Sequence, residues 1–334
     1  MRVVTFNLLH GVPLRDQGVR PATPAPTRDQ LAAEADPVGE SGEVAEAGGL
    51  PPTERHVWSP GATDPADLVA AGEELIADGP IDVIALQEVD RHQPRTGGID
   101  QARIVAELIG AKYWRFVPSV RGTPGIASEG ASWVPATADD DLPADESEPL
   151  GRAAEKRVAE AGPRYGIALI SRYPVRNWRV RRFPPAPVSL PLMAPTASGR
   201  PKAVRVPDEP RSAVSGIVEL PYADVTVATA HLTFVPGYNA RQLTELRSFL
   251  AGQPRPMILL GDFNTPGRIP GLVTGWQQVA RHPTYPVMRP RVQFDHIMAD
   301  GWTVEALAEA RASARVIPLP VSDHCALMAD FPEP

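Results

Sequence analysis

Residues 257–265 read Met-Ile-Leu-Leu-Gly-Asp-Phe-Asn-Thr, and no other stretch limits the fold of this chain as sharply. Four consecutive apolar residues form a strand-like run that stops at Gly261 and turns polar at Asp262 and Asn264. Successive strand side chains point to opposite faces, so an extended chain projects Asp262 and Asn264 the same way. An apolar strand that ends in a carboxylate and a carboxamide on one face has the character of a site rim. An ordinary Asx turn after a strand explains the same letters, because Asp, Asn and Gly are common turn residues.

The pattern recurs. Strand-like segments occupy 2–7, 81–88, 165–172, 213–220, 225–231, 257–261, 292–298 and 325–331, and several carry a polar residue where the apolar run ends. The first ends in Asn7, the second in Glu88 and the fifth in His231; Asp295 interrupts an apolar stretch, and Asp323 and His324 open the last strand. Helical signals lie between. Asp64-Pro65 supplies a cap and a first-turn proline, with Gly79 as a stop. Ile104, Val105, Leu108 and Ile109 form one apolar stripe, and Leu243, Leu246 and Leu250 another. Some strands follow each other directly, so 165–172 with 175–183, and 213–220 with 225–231, read as hairpins. This mixture predicts mixed sheets flanked by helices, not a purely parallel doubly wound sheet.

At 334 residues the chain is long enough for one large α/β domain. The reading is a single catalytic domain over 1–334, with loop insertions near 13–56, 121–163 and 184–210, which are rich in Pro, Gly, Ala or acids. No apolar run is long enough for a membrane helix, and the first residues read as a strand instead of a signal peptide. A single cysteine, Cys325, excludes an internal disulfide and a cysteine-based zinc cluster. These features predict a cytoplasmic protein. Net charge is −7, but 29–54 and 139–148 hold thirteen acids and no base, which leaves the rest of the chain positive. Eight basic residues from Arg176 to Arg211 face only Asp208 and Glu209 in sequence, a band suited to a local positive field.

Seven short motifs occur in order: Thr5-Phe6-Asn7, Leu86-Gln87-Glu88, Ala168-Leu169-Ile170-Ser171-Arg172, His231-Leu232, Gly261-Asp262-Phe263-Asn264, Asp295-His296-Ile297 and Ser322-Asp323-His324. Together they resemble the endonuclease/exonuclease/phosphatase superfamily, which includes deoxyribonucleases, abasic-site endonucleases, neutral sphingomyelinases and inositol polyphosphate 5-phosphatases. The resemblance implies a four-layer α/β/β/α sandwich with two mixed β-sheets. It also implies a hydrolase, specifically a phosphodiesterase or nuclease, acting on a phosphodiester with nucleic acid among the substrates to test. Gly166-Ile167-Ala168 departs from a frequent Gly-Asn-Ala, and Ala230 stands where a threonine is common before the histidine.

A phosphodiester is an anion, and a divalent cation both neutralises it and polarises its phosphoryl oxygen. The resemblance therefore implies magnesium or manganese (Mg²⁺ or Mn²⁺), with Glu88 as the main ligand and Asn7 and Asp323 completing or orienting its sphere. It assigns Asp262 to the attacking water, Asn264 to a phosphate oxygen and His231 to a nonbridging oxygen or the leaving group. His324 pairs with Asp295, either as a base or to stabilise phosphate charge. Arg211 is a candidate substrate contact, with a surface ion pair as the competing reading. Arg172 reads as structural, His10 and His296 as bystanders, and Tyr165 and Cys325 as packing. The alternatives are a lipid or small-molecule phosphodiesterase or phosphatase, and a non-catalytic binding module on the same fold. A binding module would be expected to have lost some of Glu88, Asp262, Asn264, Asp295 and His324, all of which are present.

Overall fold

The structure is a computed structural model that describes residues 1–11, 64–125, 132–141, 161–194 and 202–334. Its strands, in chain order, are β1 (Arg2–Asn7), β2 (Val83–Arg91), β3 (Tyr113–Thr123), β4 (Ser132–Pro135) and β5 (Arg164–Ser171). Then come β6 (Val175–Phe183), β7 (Ser189–Ala194), β8 (Lys202–Pro207), β9 (Arg211–Glu219) and β10 (Asp224–His231). The last five are β11 (Met257–Asp262), β12 (Gln277–Gln278), β13 (Asp295–Asp300), β14 (Arg315–Ile317) and β15 (Ala326–Asp330). The helices are α1 (Pro65–Ile76), α2 (Gln101–Leu108), α3 (Tyr238–Leu250), α4 (Ile269–Thr274) and α5 (Val304–Ser313).

Two sheets dominate. One has the order β14-β15-β1-β2-β5-β3-β4, and the other β12-β13-β11-β10-β9-β6. Both are mixed, since β1 and β2 are parallel, as are β10 and β11, while their other neighbours run antiparallel. Strand alternation builds the layers. Val3, Val83, Ala85, Ile167 and Leu169 point from the first sheet to meet Val214, Val227, Ile258, Leu260 and Ile297 of the second. Their neighbours Val4, Phe6, Ile84 and Leu86 face outward onto Leu68, Leu75 and Val105 of α1 and α2. On the far side, Ala228, Leu259 and Met298 pack on Leu243, Leu246 and Leu250 of α3. The protein is a four-layer α/β/β/α sandwich. Each fully buried Val, Leu or Ile stabilises it by roughly 1.5–3 kcal/mol before entropy is counted.

Local signals explain the helices. Asp64 caps α1 by accepting from the Ala66 amide at 2.9 Å, and Leu243, Leu246 and Leu250 are all buried on α3. The β9–β10 hairpin forms as expected, with Val225 opposite Val218. The other expected hairpin does not form. β5 pairs with β2 and β3 in one sheet, whereas β6 pairs with β9 in the other. Almost every residue of β5 is buried, which suits an interior strand, whereas β6 alternates between exposed and covered positions and suits an edge. Residues 172–174 therefore carry the chain between the sheets.

Two expected loop insertions hold regular structure. In 121–163, β4 pairs with the end of β3, Asp140 lies 3.2 Å from Arg164, and Asp141 pairs with Arg182. In 184–210, β7 and β8 form a two-stranded ribbon. The stretch 13–56 lies outside the described residues, as do 142–160 of the second insertion. No helix among the described residues is long and apolar enough to cross a membrane.

Candidate active site

Strand register brings the polar ends together. Asp262 closes β11 opposite His231 of β10 on one side and Asp295 of β13 on the other. Asn7 ends β1 beside Gln87, one residue before Glu88. Contacts between β1 and β11 and between β2 and β10 bring the two sheets face to face, and the Asn7 amide spans the gap. Its Nδ2 donates to Glu88 Oε1 at 3.0 Å and to Asp262 Oδ2 at 2.9 Å, while its Oδ1 accepts from the Leu9 amide. Ser322 Oγ donates to the Asn7 carbonyl at 2.6 Å and accepts from the His324 amide, which ties the start of the chain to the turn before β15. His324 Nδ1 lies 2.7 Å from Asp295 Oδ2, and its Nε2 lies 3.9 Å from Asp262 Oδ2 and 4.0 Å from Asp323 Oδ1.

The backbone is strained here. Leu9, His10, Glu88, Asn264 and Ser322 make up five of the seven non-glycine residues with positive φ among the described residues. Such conformations cost roughly 1–3 kcal/mol each and persist only where surrounding contacts enforce them, which is typical of functional sites. Glu88 sits in a bulge where the β2–β5 register shifts between Leu86 and Val89. Asn264 lies past the end of β11, and its amide donates to Asp262 Oδ1 at 2.8 Å. The Asx turn and the site rim are therefore the same structure. It is this left-handed turn, not strand alternation, that sets Asn264 Nδ2 3.4 Å from His231 Nε2 and 2.9 Å from the Leu232 carbonyl.

The site is crowded with buried acids. Burial and the neighbouring Asp295 push Asp262 up to about 7. Burial raises Asp323 to about 6 against the pull of His324, with Glu88 adding to the rise. For His324, burial opposes the charged form, but Asp295, Asp262 and Asp323 outweigh it and raise the imidazole to about 10. His231 moves the other way, well below the usual range, through burial and the nearby Arg211 and His324. Arg211 Nη1 lies 3.0 Å from His231 Nδ1 and 3.2 Å from its Nε2. A guanidinium can only donate, so one ring nitrogen of His231 is the acceptor; Nε2 also faces Asn264 Nδ2 and lies 3.8 Å from Asp262.

All the residues expected at the site converge there: Asn7, Glu88, Arg211, His231, Asp262, Asn264, Asp295, Asp323 and His324. Arg211 corrects one competing reading, because it is buried beside His231 and 3.8 Å from Asp208, not on the surface. The structure also groups Asp262, Asp295 and His324, whose ligand atoms lie within 4.8 Å of one another, as a set able to hold a metal. Tyr285, unmarked in the sequence reading, stacks at a tilt on His324 with ring centres 5.0 Å apart. Its one signal is a position between Asp262 and Asp295. His296 is fully buried, bonds the Thr265 carbonyl at 2.8 Å and stacks on Phe263, which makes it structural. Part of the basic band beginning at Arg176 is paired: Arg176 with Glu219 and Asp224, Arg181 with Glu245 and Arg182 with Asp141.

A family model described as the Endonuclease/Exonuclease/phosphatase family matches residues 4–324. The chain belongs to that family. As a member of the endonuclease/exonuclease/phosphatase family it is a hydrolase of phosphate esters. No curated protein sequence matches it. Among solved structures it is similar to a family protein from Leptotrichia buccalis, at 15% identity and TM-score 0.47, with 99% of each chain covered. A protein of unknown function from Enterococcus faecalis gives 14% identity and TM-score 0.48 over 100% of each chain. A mannosyl-6-phosphatase from Bacteroides thetaiotaomicron gives 10% identity and TM-score 0.47 over 99% of each chain.

Proposed function

We propose that this protein is a divalent-metal-dependent phosphodiesterase that cleaves its substrate by direct attack of water, with residues 1–334 acting as one catalytic unit. The observation that carries this reading is the convergence of Asn7 and Glu88 from one sheet with His231, Asp262 and Asp295 from the other, joined by His324. The fit of a cation rests on charge: four carboxylates (Glu88, Asp262, Asp295 and Asp323) crowd the site, and Asp295 Oδ1 has no hydrogen-bond partner. Glu88 and Asp323 would hold Mg²⁺ or Mn²⁺, with Asn7 orienting Glu88 through its Nδ2, an oxygen donor set suited to hard cations. A cation bound there supplies neutralisation of the phosphodiester and polarisation of its phosphoryl oxygen.

The residues divide the remaining work. Asp262 orients a water for in-line attack and takes its proton, a task matched to a carboxylate raised to about 7. Oxygen bonds to phosphorus as the bond to the leaving oxygen breaks, giving a phosphomonoester and an alkoxide that solvent water protonates to the alcohol. Asn264 Nδ2 and the ring N–H of His231 donate to nonbridging oxygens. His324, protonated at neutral pH and anchored by Asp295, stabilises charge on the phosphoryl group instead of acting as the base. Burial and Arg211 keep His231 neutral.

Hydrolysis of bis-p-nitrophenyl phosphate tests this reading. Chelation by EDTA should abolish turnover and added Mg²⁺ or Mn²⁺ should restore it. Glu88→Gln should lower kcat/KM by more than about 100-fold at fixed metal. Full activity in EDTA, or in Glu88→Gln, would refute it.

A further inference from the structure

Two of the short motifs carry a polar residue that the proposed chemistry leaves unused: Thr5 in Thr5-Phe6-Asn7 and Gln87 in Leu86-Gln87-Glu88. Both are fully buried, as is Thr229 of β10. Strand side chains alternate, so every second residue of β1, β2 and β10 faces the opposite sheet. Along β1 these are Val3, Thr5 and Asn7, and along β2 they are Val83, Ala85 and Gln87. Along β10 they are Val225, Val227, Thr229 and His231. Each strand therefore runs from the apolar core between the sheets, through one polar position, to the site.

The three polar positions meet. Thr5 Oγ1 donates to Gln87 Oε1 at 3.2 Å, and Gln87 Nε2 donates across the gap between the sheets to Thr229 Oγ1 at 3.0 Å. A buried amide is costly unless its groups are bonded, and apolar side chains of the same shape would fill the layer with equal or greater stability. Stability alone therefore gives no reason for an amide here, whereas its location does. Glu88 directly follows Gln87 and has φ 55°, and the β2–β5 register passes from Leu86–Ala168 to Val89–Gly166. Gln87 and Glu88 thus have no register partner on β5. Their backbone is held from the β1 side, where Asn7 pairs with Gln87 and the Leu8 amide donates to the Gln87 carbonyl at 2.9 Å. The Gln87 side chain adds the tie to the other sheet, two residues before His231, whose register partner is Asp262.

We propose that Gln87 is a positioning residue: the Thr5–Gln87–Thr229 bridge fixes the spacing of the two sheets beside the site, and through it the distance from Glu88 on one sheet to His231 and Asp262 on the other. The inference rests on the phosphodiesterase reading and deepens it. Asn7 spans the same gap one layer nearer the site, but its bonds go to Glu88 and Asp262, the groups assigned to the cation and the water. The bridge is sealed from solvent and touches neither of them. Partners that orient a metal ligand are typically worth 10–100-fold in metal affinity or activity.

The test replaces the bridge by apolar groups of similar shape, Thr5→Val/Gln87→Met/Thr229→Val, beside the single variants Thr229→Val and Thr229→Ser. Thermal unfolding, Mn²⁺ affinity from the EPR signal of the free ion, and kcat and KM for bis-p-nitrophenyl phosphate are measured on each. The triple variant should unfold within a few degrees of wild type. It should bind Mn²⁺ about tenfold or more weakly and lose about 30-fold or more in kcat, with KM changed by less than about threefold. Thr229→Val should move the same way, whereas Thr229→Ser keeps the hydroxyl and should stay within about threefold of wild type. Thr226→Val is the control: it removes a hydroxyl of the same strand that donates to the Pro254 carbonyl at 2.7 Å, and should leave Mn²⁺ affinity and kcat unchanged.

Wild-type Mn²⁺ affinity and kcat in the triple variant would overturn the proposal, as would equal losses in Thr226→Val. Should the triple variant fail to fold, the pair Thr229→Val and Thr229→Ser decides, and equal Mn²⁺ affinity and kcat within that pair would overturn it. If wild type binds Mn²⁺ but cleaves no phosphodiester, the phosphodiesterase reading fails and the Mn²⁺ affinities still decide the bridge. Wild type that binds no Mn²⁺ would overturn the role of the bridge whatever it cleaves.

Discussion

His324 shows how one residue couples the site to the stability of the fold. Its imidazole is raised from 6.5 to about 10, so between those values the folded protein holds a proton that the unfolded chain releases. The associated stability is fully present below about pH 6.5 and is lost as pH rises through about 10. One extra proton bound in the native state lowers stability by about 1.4 kcal/mol per pH unit at its steepest. Thermal unfolding of the metal-free protein should therefore show a midpoint that falls across this window, with a flatter profile in His324→Gln. An identical slope in the variant would show that the proton sits elsewhere. The pairing with Asp295 was legible in the sequence through the motif order alone, since the partners are 29 residues apart and on different elements. The cationic state was not legible, because it depends on Asp262, Asp295 and Asp323 arriving on the same imidazole.

At the scale of elements, Gly261 permits the close approach of β10 and β11 where the site is built. It has φ +144°, and a Cβ there would lie 2.0 Å from the Ala230 carbonyl oxygen. Gly261→Ala must push apart the strand ends that hold His231 opposite Asp262. The variant should lose about 2–5 kcal/mol in urea unfolding, together with most of its activity. Gly237→Ala is the control, with a positive φ but nothing within 4 Å, and should cost only about 1–2 kcal/mol. Equal effects in the two variants would show that strain, not strand spacing, governs Gly261. Strongly patterned strands such as β1, β10 and β11 were readable, because apolar runs report burial directly. The β5–β6 connection was misread as a hairpin because a three-residue link joins strands in different sheets as easily as in one. β3 escaped notice because Pro118 interrupts it at a bulge. Likewise, α5 lacks an apolar stripe, with only Ala306, Leu307 and Ala310 buried.

For the whole molecule, charge pairs that join separate elements could not be read from the sequence. Arg176, Arg181 and Arg182 pair with Glu219, Asp224, Glu245 and Asp141, which come from other elements. The acidic stretch 29–54 poses the complementary question. The stretch holds seven acids, no base and no aromatic side chain, too little apolar content to build a core. Deletion of 29–54 should therefore leave a single cooperative thermal transition and retain hydrolysis of bis-p-nitrophenyl phosphate. Loss of cooperative unfolding would show that the segment supports the core.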